Sequence, residues 1–147
     1  MTMNNPGNRP TTLDLDYGTD GLPLLDSPWS VRFAQGTRGR TALEVYNLGV
    51  LLDVLVAQPL AGDVLRGARR AQHNGRASVL AWGHLPPGGE PPAVTFSQRH
   101  RLAGRAETVV AAGEFWIATV EGCFDRVTAS AADGSVRSER IRAGWSR

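Results

Sequence analysis

At 147 residues with a formal net charge of +2, the chain fits one ordinary domain, long enough to bury a core and too short for two well-built ones. All 16 basic residues are arginine. A GC-rich coding bias accounts for this; selection of guanidinium for phosphate or carboxylate contacts is the functional alternative. Cys123 is the only cysteine, so no disulfide closes within the chain and a bridge-held secreted scaffold is excluded.

Residues 1–27 read as a flexible arm, rich in Asn, Pro, Gly, Thr and Asp. Four aspartates against Arg9 alone leave it at −3 and the remainder at +5. Leu13, Leu15, Leu24 and Leu25 are interleaved with those acids, a pattern suited to docking in an apolar groove with a basic rim. Met1 to Asp20 lacks both a basic start and an apolar run, so no signal peptide is expected. The most apolar segment, Leu48 to Val56, is about half a bilayer span and carries Asp53. A cytoplasmic location is therefore expected.

Residues 28–147 read as one α+β domain, with a helical part over 41–73 and a β part over 78–142. The alternation of Trp29, Val31 and Phe33 with Ser30 and Arg32 predicts a half-buried strand over Trp29–Ala34. Thr41-Ala-Leu-Glu44 has capping-box spacing and predicts a helix to about Gln58, ahead of Pro59. On a helical wheel its apolar residues cover nearly the whole circumference, which predicts a central helix or a subunit contact. A stripe of Ala42, Gly49, Asp53 and Ala57 would admit another backbone. A second, shorter helix is expected over Leu60–Gln72, stopped by Asn74-Gly75. It would carry Arg66, Arg69 and Arg70 outward, with the cluster in its last turn favoured by the helix dipole.

From Ser78 onward the pattern is β. Strands are expected over Ser78–His84, Ala93–Arg99, Ala106–Ala111, Phe115–Val120, Phe124–Ser130 and Ser135–Arg142, forming an antiparallel sheet or small sandwich packed on the long helix. The expected core includes Phe33, Leu48, Leu51, Leu52, Leu55, Leu80, Phe96, Val110, Trp116 and Val127. Cys123 is expected as a small buried hydrophobe beside Phe124. The run Val79 to Pro86, with Ala93-Val-Thr95, Gly113-Glu-Phe-Trp-Ile-Ala118, Phe124-Asp-Arg-Val-Thr-Ala129 and Ala132-Asp-Gly134, resembles immunoglobulin-like or carboxypeptidase-regulatory-like β modules of GC-rich bacteria. The resemblance covers residues 78–142 and implies an interaction or scaffold role.

Candidate chemistry is sparse. His73, His84 and His100 have no partner at metal-ligand spacing, so no metal or other cofactor is expected. Ser97 with His84 or His100 forms no nucleophile elbow and implies no third catalytic member. Arg99, Arg101 and Arg105 cluster with His100 after one strand, and Arg137, Arg140, Arg142 and Arg147 occupy the C-terminus with Trp145. Glu107, Glu121 and Glu139 lie nearby in sequence and would neutralise part of the charge. Arginines beside a stacking aromatic suit nucleic-acid or acidic-peptide binding. The expected function is thus a non-enzymatic interaction or assembly module, regulatory or scaffold in role and able to self-associate. Its expected partner is another protein or a second copy. Nucleic-acid binding through the arginine clusters is the alternative, and a small hydrolase-like enzyme the second.

Overall fold

In the strand Arg76–His84 every residue from Ser78 onward is buried, although successive side chains of a strand point to opposite faces. A strand buried on both sides must lie in a middle layer. The computed structural model describes residues 11–13, 22–23, 27–58, 60, 62–99 and 105–143, and among these the chain is built of strands. In chain order they are β1 (Thr11–Leu13), β2 (Leu22–Pro23), β3 (Trp29–Gln35), β4 (Thr41–Asn47), β5 (Val50–Val56), β6 (Gly67–His73), β7 (Arg76–His84) and β8 (Ala93–Ser97). There follow β9 (Arg105–Ala106), β10 (Thr108–Ala111), β11 (Phe115–Glu121), β12 (Arg126–Ser130), β13 (Val136–Arg140) and β14 (Arg142–Ala143).

Three sheets result. The central sheet runs β1-β10-β11-β7-β6-β14, one outer sheet β2-β3-β4-β5, and the other β13-β12-β8-β9. The two faces of the central sheet face separate cores. Leu80, Trp82, Phe115 and Ile117 pack against Trp29, Val31, Phe33, Leu43, Val45 and Leu55 of the first outer sheet. Val79, Ala81, Trp116 and Ala118 pack against Val94, Phe96, Val127 and Ala129 of the second. Apolar burial at about 25 cal/mol per Å² therefore acts on both sides of β7 and β11. At one edge of the central sheet β1 runs parallel to β10, with Leu13 opposite Ala111. At one edge of the first outer sheet Leu22 of β2 lies opposite Val31.

The expected α+β fold is overturned: residues 41–58 form the hairpin β4–β5, and residues 67–84 form the hairpin β6–β7. Among the described residues there is no long apolar helix, and no shorter one follows it. Two tight turns decide this. Leu48 and Gly49 have φ of 47° and 79°, and Asn74 and Gly75 have 51° and 74°. Each pair sits between residues that face one another across the hairpin, Asn47 with Val50 and His73 with Arg76. Positive φ at both central residues marks a two-residue turn whose twist matches the flanking strands. Asn74-Gly75 is therefore a hairpin turn and no helix stop.

The capping-box reading fails for a related reason. Glu44 sits mid-strand directly opposite Arg32, and its Oε1 accepts from Arg32 Nε and Tyr46 Oη, both at 2.6 Å. Leu43 and Val45 point inward while Glu44 and Tyr46 point outward, a period of two that the helical wheel conceals. The stripe of Ala42, Gly49, Asp53 and Ala57 has no counterpart in the hairpin. Arg69 and Arg70 occupy β6, so no helix dipole acts on them. The expected core also needs correction, since Leu48 and Leu51 are 61% and 49% exposed and Leu52 is half-buried.

Candidate functional site

All three sheets meet at one end of the sandwich around an open groove of about 740 Å³. The β4–β5 turn contributes Leu48 and Val50, and the β6–β7 hairpin contributes Arg70, Ala71, Gln72 and Ala77. The β11–β12 connection adds Cys123, Phe124 and Asp125, with Gln98 and Ala143 completing the wall. Phe124 is fixed against the second core, its ring 6.0 Å from that of Phe96. Cys123 is exposed in this connection, contrary to the burial expected of it. The groove's size and its mixture of apolar wall with a few polar groups suit a ligand site.

Its most unusual residue is Leu48. A β-carbon in the left-handed region crowds the backbone, so non-glycine residues there are usually Asn or Asp. The β6–β7 hairpin follows that preference with Asn74 at the same turn position. Leu48 instead combines a left-handed backbone with a largely exposed isobutyl group. Its amide donates to Pro28 O at 2.8 Å, which pins the turn against the chain entering β3. Val50, Leu51 and Val54 continue the exposed apolar surface along β5.

β5 ends one side of its sheet, yet its edge is blunted in three ways. The register shifts at Val45/Tyr46, Asp53 Oδ1 accepts the Val54 amide at 2.9 Å, and His84 Nε2 donates to Val56 O at 2.8 Å. Bulges and inward charges are devices against adding a further strand. The exposed apolar groups, and not the strand edge, are therefore what this face offers a partner.

Beside that edge lies a polar network that the sequence did not point to. Asp53 accepts from Trp82 Nε1 at 2.9 Å and from Arg66 Nε at 3.0 Å, and Arg66 also reaches Asp63 at 3.3 Å. These carboxylates, Asp53 foremost, hold the Arg66 guanidinium pKa above its usual value. Arg66 is thus a structural partner of β5. His84 is buried, with Nδ1 accepting the Asp63 amide at 3.1 Å while Nε2 donates to Val56 O. That pattern fixes the neutral Nε2-protonated tautomer. Both ring nitrogens are therefore occupied, and Ser97 lies across the central layer in β8, so the two cannot act as nucleophile and base.

The remaining expected site residues are dispersed. Arg69 lies 5.8 Å from the Trp82 ring centre and donates to Ala68 O. Arg99 follows β8, its amide donating to Asp125 Oδ1 at 3.3 Å. Arg137 and Arg140 are on β13, and Arg142 on β14 lies opposite Arg69. Among these described residues, only Arg70 lines the groove. Leu15, Leu24, Leu25, Arg101 and Trp145 lie outside the described residues, as does His100, and Leu13 is placed by its backbone pairing alone.

Among the described residues no three His, Cys, Asp or Glu side chains group as a metal site, and no helix is long and apolar enough to cross a membrane. No family model, curated protein or solved structure matched the chain.

Proposed function

We propose that this protein is a non-catalytic interaction module that takes an extended, mainly apolar segment of another protein into the groove beside Leu48. The observation that carries the reading is Leu48 itself. A large side chain is exposed at a backbone conformation that disfavours it, and departures of this kind concentrate at functional surfaces. Arg70 at the rim, outside every ion pair among the described residues, suits an acidic group flanking the partner's apolar residues. The resemblance of residues 78–142 to immunoglobulin-like modules points the same way, and an exposed, unbridged Cys123 suits the reducing cytoplasm.

Selection from a library of short random peptides tests this. Bound peptides should be rich in apolar residues with an acidic flank. Val50→Asp and Arg70→Ala should each weaken binding about tenfold, the loss of about 1.4 kcal/mol. Peptides that bind both variants as tightly as the native chain would place the interaction elsewhere.

A further inference from the structure

On a different surface, the outward face of the sheet β13-β12-β8-β9 carries a basic array. Register and burial define it. Val94, Phe96, Val127 and Ala129 are buried on the inner side, so Thr95, Arg126 and Thr128 point out. Opposite them on β13 stand Ser138 and Arg140, and Arg105 of β9 lies opposite Thr95. One row across the sheet therefore reads Arg105, Thr95, Thr128, Ser138, and the next reads Arg126, Arg140.

Three features of this array bear on its ligand. None of the ion pairs among the described residues involves Arg105, Arg126 or Arg140. The carboxylates beside Arg126 and Arg140 are turned away, since Glu139 lies opposite the inward-facing Val127 and Asp125 accepts the Arg99 amide. Exposed Glu107, two residues past Arg105, offsets part of the charge at the β9 edge. Finally, the hydroxyls are held in place, with Thr128 Oγ1 and Ser138 Oγ 3.2 Å apart and Arg126 Nη1 donating to Ser138 Oγ at 3.4 Å.

We infer that this face binds the phosphate backbone of a nucleic-acid duplex without reading its sequence. Guanidinium groups and hydroxyls are the side chains that contact phosphate oxygens. Among the described residues no aromatic side chain lies on the face, so these offer no platform for the stacking that anchors single strands. Among the described residues the sheet presents no helix or protruding ribbon to enter a groove, which favours backbone contacts as the means of binding. Adjacent strands stand about 4.8 Å apart, so the three arginines spread over a distance comparable with successive phosphates. The reading is independent of the peptide groove, whose lining shares none of these arginines.

Fluorescence anisotropy of the full chain with a labelled duplex, titrated at several salt concentrations, tests the inference. Three neutralised phosphates give a log–log salt slope of about −2.7. The Arg126→Ala/Arg140→Ala pair should flatten it to about −0.9 and weaken binding at low salt by more than about tenfold. Arg126→Lys/Arg140→Lys should retain most of the binding, because phosphate neutralisation needs the charge; this variant separates lost charge from lost folding. Duplex DNA and duplex RNA of unrelated sequences should bind alike. Three results would each overturn the inference: no duplex binding at low salt, full binding by the double-alanine variant, or equally tight binding of polyglutamate, which would assign the face to acidic polypeptide.

Discussion

The indole Nε1 of Trp82 in the central sheet donates to Asp53 Oδ2 in β5 at 2.9 Å, joining the outer hairpin to the middle layer. Asp53 also holds Arg66, so its carboxylate has two partners of unequal need. Trp82 is 1% exposed, so its indole N–H is shielded from solvent, whereas the Arg66 side chain is 42% exposed. Asp53→Ala should cost about 1–3 kcal/mol, the penalty of an unsatisfied buried donor. Arg66→Ala should cost no more than about 1 kcal/mol, as for an exposed ion pair. Urea melts of the two variants check this, and equal losses would show that the indole bond contributes little.

Glu44 and Tyr46 give the outer hairpin a pH dependence at both ends of the scale. The Arg32 hydrogen bond lowers the Glu44 pKa below its ordinary 4.5, with Tyr46 adding to it against the opposing effect of burial. A carboxyl whose folded pKa is depressed stabilises fully above 4.5 and loses that contribution as pH falls through the folded value. Glu44 raises the Tyr46 pKa above its ordinary 10.0, so the phenol's contribution is present below that value and disappears as pH rises through the folded one. The stability difference between the native chain and Glu44→Gln should therefore hold through neutral pH and shrink toward both extremes. Thermal melts across pH check it; a difference that grows below 4.5 has the wrong sign.

Gly83 leaves room for the second core. A β-carbon there would stand 2.1 Å from Val64 O and 2.7 Å from Trp116 Nε1. Those two atoms hydrogen-bond to one another at 2.6 Å, so neither moves without breaking a buried contact. Gly83→Ala should cost about 3 kcal/mol, at the upper end for overpacking. A loss below about 0.5 kcal/mol would mean that the loop before β6 yields freely.

The strands from β7 onward were legible because turn residues punctuate them and their apolar positions alternate: Phe115–Val120 was expected and Phe115–Glu121 is found. The segment 41–73 was not. Val50-Leu-Leu-Asp-Val-Leu-Val56 is almost continuously apolar, and such a run has no periodicity to separate strand from helix. Asn74-Gly75 held the answer, since Asn-Gly between extended segments is a strong hairpin signal. The Arg66–Asp53–Trp82 contact joins residues 13 and 29 positions apart, a proximity that follows from sheet stacking and leaves no local signature. Excess apolarity around Leu48–Val56 was readable and does emerge at the surface, on a hairpin in place of a helix.

Leu48→Asn tests the central claim most directly, because it separates what the fold needs from what the groove needs. Asn tolerates φ of 47° and is the residue that the β6–β7 turn already uses. The variant should be as stable as the native chain or up to about 1 kcal/mol more stable in urea melts. It should also bind the selected apolar peptides about tenfold to a hundredfold more weakly, the contribution of one buried leucine side chain. Undiminished peptide binding, or a fold destabilised by losing this side chain, would contradict the account and make Leu48 an ordinary structural residue.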